Sequence, residues 1–302
     1  MTVATWESFR AAEHFTMSSA RLVDRCRFAH IFQNGTADRV RSAVSAYRNL
    51  DGGYGNGLHP DLRGHASQPV STATALLYLD ELGPIPGDTT TGICRYLTGV
   101  TTPDGGVPAV TPAVRHTPAA PWWRNRTDFT SDLATTARIA GYLHKHTVSH
   151  PWRDTATAYC WRHIDALHWT DPREAIGVCT FLDHVPDRER ARRALARLTP
   201  MIRAAIDTEP TTFGPRHTHT PLDLAPEPGH IARNAFTDTE IARSLDNLEA
   251  LQRSDGAWEA LEHHWHPTAT TEHEGMRTVQ SLLVLRAYGR IGLRLPNPRR
   301  DA

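Results

Sequence analysis

The segment "LHPDLRGHASQP" sets His59, Asp61, Arg63 and His65 in a short loop after a glycine-rich turn. An Asp between two imidazoles could be a general acid whose proton or orientation its neighbours control. The plainer assignment pairs Asp61 with Arg63 and leaves Ser67 to cap the following helix. A second polar cluster, "HHWHPTATTEHEGMRTVQ", lies towards the other end of the chain. Thr270 or Thr271 is expected to cap a helix there, placing Glu272 and Glu274 in its first turn near the positive dipole end. In a dry pocket either carboxyl would rise in pKa and suit proton donation. The alternative is a simple pair between Glu274 and Arg277, three residues on. The catalytic candidates are thus Asp61, Glu272, Glu274 and His59.

His263, His264, His266 and His273, and the looser pair His217 and His219, invite a metal reading. Their spacing matches no standard zinc pattern, so neither a metal nor a cofactor is expected. Asp128 and Asp132 stand just ahead of another helix, where Ser131 or Asp132 is expected as the N-cap. Asp132 also remains a substrate-binding candidate, with Arg63, His65 and His273. Among the eight tryptophans and other aromatics, Tyr54, Trp123, Phe129 and Trp265 lie in loops beside these clusters. Their π faces could stabilise cationic charge, each by about 0.5–2 kcal/mol.

The elements that must position these residues are helices. Apolar residues recur at helical spacing along the chain, and alternating strand-like runs are scarce. "SARLVDRCRFAHIFQNG" places Leu22, Cys26, Ala29 and Phe32 on one face. "STATALLYLDELG" is almost wholly apolar, whereas "ADRVRSAVSAYRNLDGG" carries a narrow apolar stripe between arginines. Two helix types therefore alternate, and stacking such pairs in a ring would put the apolar type inside. Asp-Gly turns close the outer helices in "NLDGGYGNGLHP" and "QRSDGAWEALEHH", with a left-handed glycine cap and an aromatic that packs on the next helix. The Pro-, Thr- and His-rich stretches 103–127 and 207–235 are expected to be lids over one mouth of the ring.

Composition narrows the class. The chain has 302 residues, and 33 basic residues balance 33 acidic ones, so no long-range field favours nucleic acid or an anionic membrane. No apolar run could span a bilayer, and "MTVATWESFRAAEHF" lacks a signal peptide's apolar stretch, so the cytoplasm is the expected compartment. Cys26, Cys94, Cys160 and Cys179 are scattered without CxxC spacing, which predicts reduced, buried thiols. No dinucleotide fingerprint or phosphate loop appears, which points away from hydride transfer and nucleotide chemistry.

"RNLDGGYGNGLHPDL" and "LQRSDGAWEA" resemble the glutamine-tryptophan type repeats of terpenoid cyclases and protein-prenyltransferase β subunits. With "SQPVSTATALLYLDELG", "TARIAGYLHKH" and "EHEGMRTVQSLLVLRAYGR", the chain is similar to small actinobacterial squalene-cyclase-like proteins from about Arg48 to Arg290. The resemblance implies a single all-α domain over residues 1–302, an α/α toroid of five to six helix pairs around an apolar cavity. It does not extend to the chemistry: the Asp-x-Asp-Asp acid, the Asp-Asp-x-x-Asp magnesium motif and the prenyltransferase zinc ligands have no counterpart. The leading expectation is a metal-independent, non-redox cyclase or isomerase acting on a mostly apolar natural product by acid–base catalysis, as a monomer or homodimer. A non-catalytic module for an apolar ligand or a lipid or peptide tail is the alternative, and an enzyme acting on carbohydrate is another. In a closed ring, the loop of Asp61 and the helix of Glu272 would meet at one mouth with His59 and Glu274. One of the two acids would then stay protonated.

Overall fold

A computed structural model describes residues 3–210, 218–261 and 265–291, with side chains from residue 6 onward. It is all-α: thirteen α-helices and two 3-10 turns, with only isolated β-bridges among the described residues. The helices are α1 Val3–Ser19, α2 Leu22–Phe32, α3 Ala37–Ser45, α4 Pro69–Asp80, α5 Gly87–Val100, α6 Pro121–Arg124 and α7 Leu133–Lys145. They continue as α8 Pro151–Asp165, α9 Pro172–His184, α10 Arg188–Ala205, α11 Pro221–Leu224, α12 Asp238–Ala250 and α13 Pro267–Ala287. None of them is long and apolar enough to cross a membrane.

Local chemistry explains most starts. Asp132, Asp171 and Asp187 cap α7, α9 and α10 by accepting backbone N–H groups, and Thr237 with Glu240 forms a capping box on α12. Two expected caps are corrected. Ser67 does not cap α4; its hydroxyl donates to Asp51. α13 starts at Pro267 behind a His266 cap, so Glu272 and Glu274 lie beyond its first turn. Proline at the first helical position accounts for the earlier start, because its fixed φ suits N1 and its missing N–H costs nothing there.

Three turns repeat one design. Gly52, Gly105 and Gly256 hold φ of +95°, +93° and +93°, each after an aspartate. Asp51, Asp104 and Asp255 accept the amide two residues on, from Gly53, Gly106 and Ala257 at 2.8, 3.3 and 3.1 Å. The next amide donates to a threonine on the following helix: Tyr54 to Thr72 of α4, Val107 to Thr136 of α7, and Trp258 to Thr278 of α13. The left-handed residue is thus the first glycine of each turn, directly after the aspartate. A Cβ on Gly52 would collide with the Gly92 carbonyl, and one on Gly256 with the Ala11 carbonyl.

These turns present α4, α7 and α13 to the interior. α4 packs on α7 and α7 on α9, while α13 packs on α1 and α2. α3, α8 and α10 lie against α4, α7 and α9 respectively. α2 buries Val23, Asp24, Arg27 and Phe28 and leaves Leu22 68% exposed, so its inner face is displaced from the expected stripe. The displacement follows from a buried network: Arg27 bonds Asp24 at 2.9 Å and Glu81 at 2.6 Å and lies over the Tyr78 ring. Hydrophobic spacing cannot register a helix face built on a buried ion pair. Cys94, Cys160 and Cys179 are buried free thiols, and Cys26 is half-buried.

The stretch 103–127 is not a structureless lid. It carries the 3-10 turn Pro112–His116 and α6, and it builds a small core of Leu62, Val110, Val114, Ala120 and Trp123. Main-chain bonds from Arg63 to Pro118 and from Ala120 to Asp61, both 2.9 Å, clamp it to the Asp61 loop. In 207–235, α11 and the turn Ile231–Ala235 are helical, and 211–217 lie outside the described residues.

Candidate functional site

The threonines of the three turns put the repeats in register. Five residues before Thr72, Thr136 and Thr278 stand Ser67, Ser131 and His273. Ser67 and Ser131 reach back to the turn aspartates, Asp51 and Asp104, at 2.8 and 2.6 Å. His273 breaks the pattern. Asp255 is bonded by Arg253 instead, and the His273 imidazole turns to Asp61, with Nε2 2.9 Å from Oδ1. A structural position has been given to an ionisable side chain with a different partner.

Asp61 is 2% exposed and His273 6%. The same Oδ1 accepts the Trp265 indole N–H at 2.9 Å, and the His59 Nδ1 accepts the Asp61 amide at 3.3 Å. The His59 and His273 rings meet edge to face with centroids 5.7 Å apart. Burial alone would raise the Asp61 carboxyl, but the His273 hydrogen bond, the charge of His59 and His273 and the Trp265 N–H hold it below the ordinary carboxylate range. With its carboxyl held low, Asp61 is better placed to accept from Trp265 and His273 than to donate a proton.

Glu272 does not join Asp61. It pairs with Arg63, which is exposed, and so replaces the expected Asp61–Arg63 pair. Glu274 pairs with Arg253 of the third turn rather than with Arg277, which bonds Asp223 of α11 at 2.6 Å. His65 is exposed on the loop. Asp132 caps α7 and pairs with Arg173 at 2.9 Å. Burial pushes its carboxyl up, but Arg173 and the Thr135 bonds bring it below the usual range. His217, His263 and His264 lie outside the described residues.

A cavity of about 250 Å³ lies behind His273. Its wall draws on α2, α4, α7, α9, α11, α12 and α13: Arg27, Tyr78, Tyr142, Ile176, Leu222, Leu248, Met276 and Val284 are among the lining residues. His273 is the one catalytic or substrate-binding candidate on that wall among the described residues, and His219 of the looser histidine pair also lines it. Tyr54 is in the main core, while Trp123, Phe129 and Trp265 belong to the small core beneath the 103–127 segment. The expected aromatic lining is thus corrected, because aromatics in turns found packing partners close by. The wall residues Tyr78, Tyr142, Arg27 and Arg138 were missed, since they are helix-interior residues that spacing alone assigns to core or surface. Ser281 adds a hydroxyl, 2% exposed, with no hydrogen-bond partner among the described residues.

The fold is shared with a solved structure. "Crystal structure of a protein from Actinoplanes" matches with a TM-score of 0.60 and 16% identity, over 94% of this chain and 99% of that one. No protein-family model and no curated protein matches the chain.

Proposed function

We propose that the chain is a single-domain α/α toroid enzyme that binds a small, mostly apolar molecule in its cavity and catalyses a non-redox isomerisation or cyclisation. The ring reading rests on seven helices sharing one cavity wall and on the threefold repetition of the aspartate–glycine turn. The observation that carries the chemistry is His273, which lines the cavity while hydrogen-bonded to buried Asp61. A carboxylate in that position fixes the imidazole's tautomer and orientation and stabilises its protonated form, so the ring can exchange a proton with a bound molecule. Ser281 offers a hydroxyl to a polar group of the ligand.

A cavity of about 250 Å³ is below the usual range of roughly 300–1,000 Å³ for ligand pockets. It favours a compact molecule over a triterpene. The carbohydrate reading finds no support here: among the described residues Asp223 is the one acidic residue lining the cavity, and Arg277 already pairs with it. Incubation with small acyclic alkenols in D₂O, followed by mass spectrometry, tests the proposal. Deuterium wash-in or isomerised product is expected with wild type and a loss of roughly 10²–10⁴-fold with His273→Gln. Equal wash-in with both proteins removes His273 from the chemistry, and a ligand retained without exchange favours the non-catalytic module.

A further inference from the structure

We infer that His59, Asp61 and His273 form a binding site for one divalent transition-metal ion of the zinc class. Their ligand atoms all lie within 4.8 Å of one another. This goes beyond the reading above: the ion would replace the proton between Asp61 and His273, so the metal-bound and proton-exchanging forms are alternative states of one cluster.

The donor set is two imidazoles and one carboxylate, the composition of open metal sites that keep a position for a further ligand. It contains no cysteine, and sequence spacing could not show it, because His273 stands 212 residues from Asp61. Asp61 and His273 stand at hydrogen-bond distance, 2.9 Å, a few tenths of an ångström short of a ligand–ligand separation. Bonds of about 2.0–2.1 Å in a tetrahedral site separate ligand atoms by roughly 3.3 Å. Any wider gap in the cluster therefore involves His59, the least buried of the three, whose Nδ1 accepts the Asp61 amide at 3.3 Å. Trp265 donates its indole N–H to Asp61 at 2.9 Å and so orients the carboxylate, the supporting role that metal sites assign to neighbouring donors. Burial of Asp61 and His273 leaves little water to compete with the ion. The departure of His273 from the serine of the other two repeats would be explained by this demand for a nitrogen ligand.

The test uses the full-length protein stripped with EDTA and titrated with Zn²⁺ against a chromophoric chelator, then with Co²⁺. One Zn²⁺ per chain is expected, weakened about 100-fold or more in Asp61→Ala and His273→Ala. His146→Gln, a histidine paired with Asp80 outside the cluster, should bind as wild type does. His59→Gln guards against variants that fail to fold, and His273→Cys should keep the ion and add a thiolate-to-cobalt charge-transfer band that no structural role would produce. Absence of micromolar Zn²⁺ binding overturns the proposal. So does undiminished binding in a folded Asp61→Asn/His273→Gln double variant, which would place the ion elsewhere. Proton exchange that survives chelation leaves the functional reading standing whatever the titration shows, so the two can fail separately.

Discussion

Asp61 Oδ1 and His273 Nε2 lie 2.9 Å apart in the interior, His273 on the cavity wall and Asp61 behind it, although 212 residues separate them along the chain. The same oxygen accepts the Trp265 N–H, so one atom joins the first turn's loop, α13 and the segment ahead of it. Asp61→Ala is expected to cost roughly 1–3 kcal/mol, since it leaves a part-buried indole donor without its acceptor. Asp61→Asn keeps an oxygen there and should cost less. Urea melts in EDTA measure both, and equal midpoints for the two variants would show that the acceptor contributes nothing.

The glycine turns separate strain from collision. Gly52 has positive φ and its Cβ position is occupied by the Gly92 backbone; Gly83 has φ of +85° but open space around it. Gly83→Ala should therefore cost about 1 kcal/mol from conformation alone. Gly52→Ala adds a backbone displacement and should exceed about 2 kcal/mol. Similar thermal shifts for the two would mean that the α5 contact yields freely.

Arg27 is 1% exposed between Asp24 and Glu81; without it Glu81 has no counter-ion among the described residues, while Asp24 keeps Arg21 at 2.9 Å. Arg27→Met is expected to destabilise by about 3–5 kcal/mol, because the largely buried Glu81 loses its counter-ion and the buried Asp24 loses one of two. The exposed Arg63–Glu272 pair should contribute only about 0–1 kcal/mol. Denaturation of Arg27→Met and Arg63→Ala side by side checks the contrast.

Burial pushes His144 and His184 down to about 4. Their ordinary value is 6.5, so between pH 6.5 and 4 the unfolded chain binds protons that the folded chain excludes. Stability should fall as pH drops through that window, and these two residues add no further loss below it. Both rings are half-buried, so the loss is about 1 kcal/mol each after allowing for solvent screening. His144→Gln, which can still bond Thr157, should flatten part of the slope in melting temperature against pH. An unchanged slope assigns the effect to other groups.

Much of the helical framework was legible because it is written locally. Apolar spacing marked α4, α7 and α13, Asp132 announced its own cap, and Asp-Gly marked the turns, since each signal lies within a few residues of what it controls. Helix faces and starts that depend on distant partners were misread: Leu22 points outward because Arg27 is held by Glu81, 54 residues away. The candidate site was half legible. His59, Asp61 and His273 stood out by residue type, but their pairing did not, and Glu272 looked equally suitable until Arg63 took it.

The sequence by itself determined an all-helical chain with glycine turns after aspartate and two polar clusters, because backbone propensity, capping and amphipathic period act over a few residues. Only the tertiary structure decided which polar groups meet. Hydrogen bonds and ion pairs are made across space between elements whose packing is set by the whole core, so Asp61 found His273, Arg63 found Glu272, and Tyr54 and Trp123 went to the interior rather than the cavity.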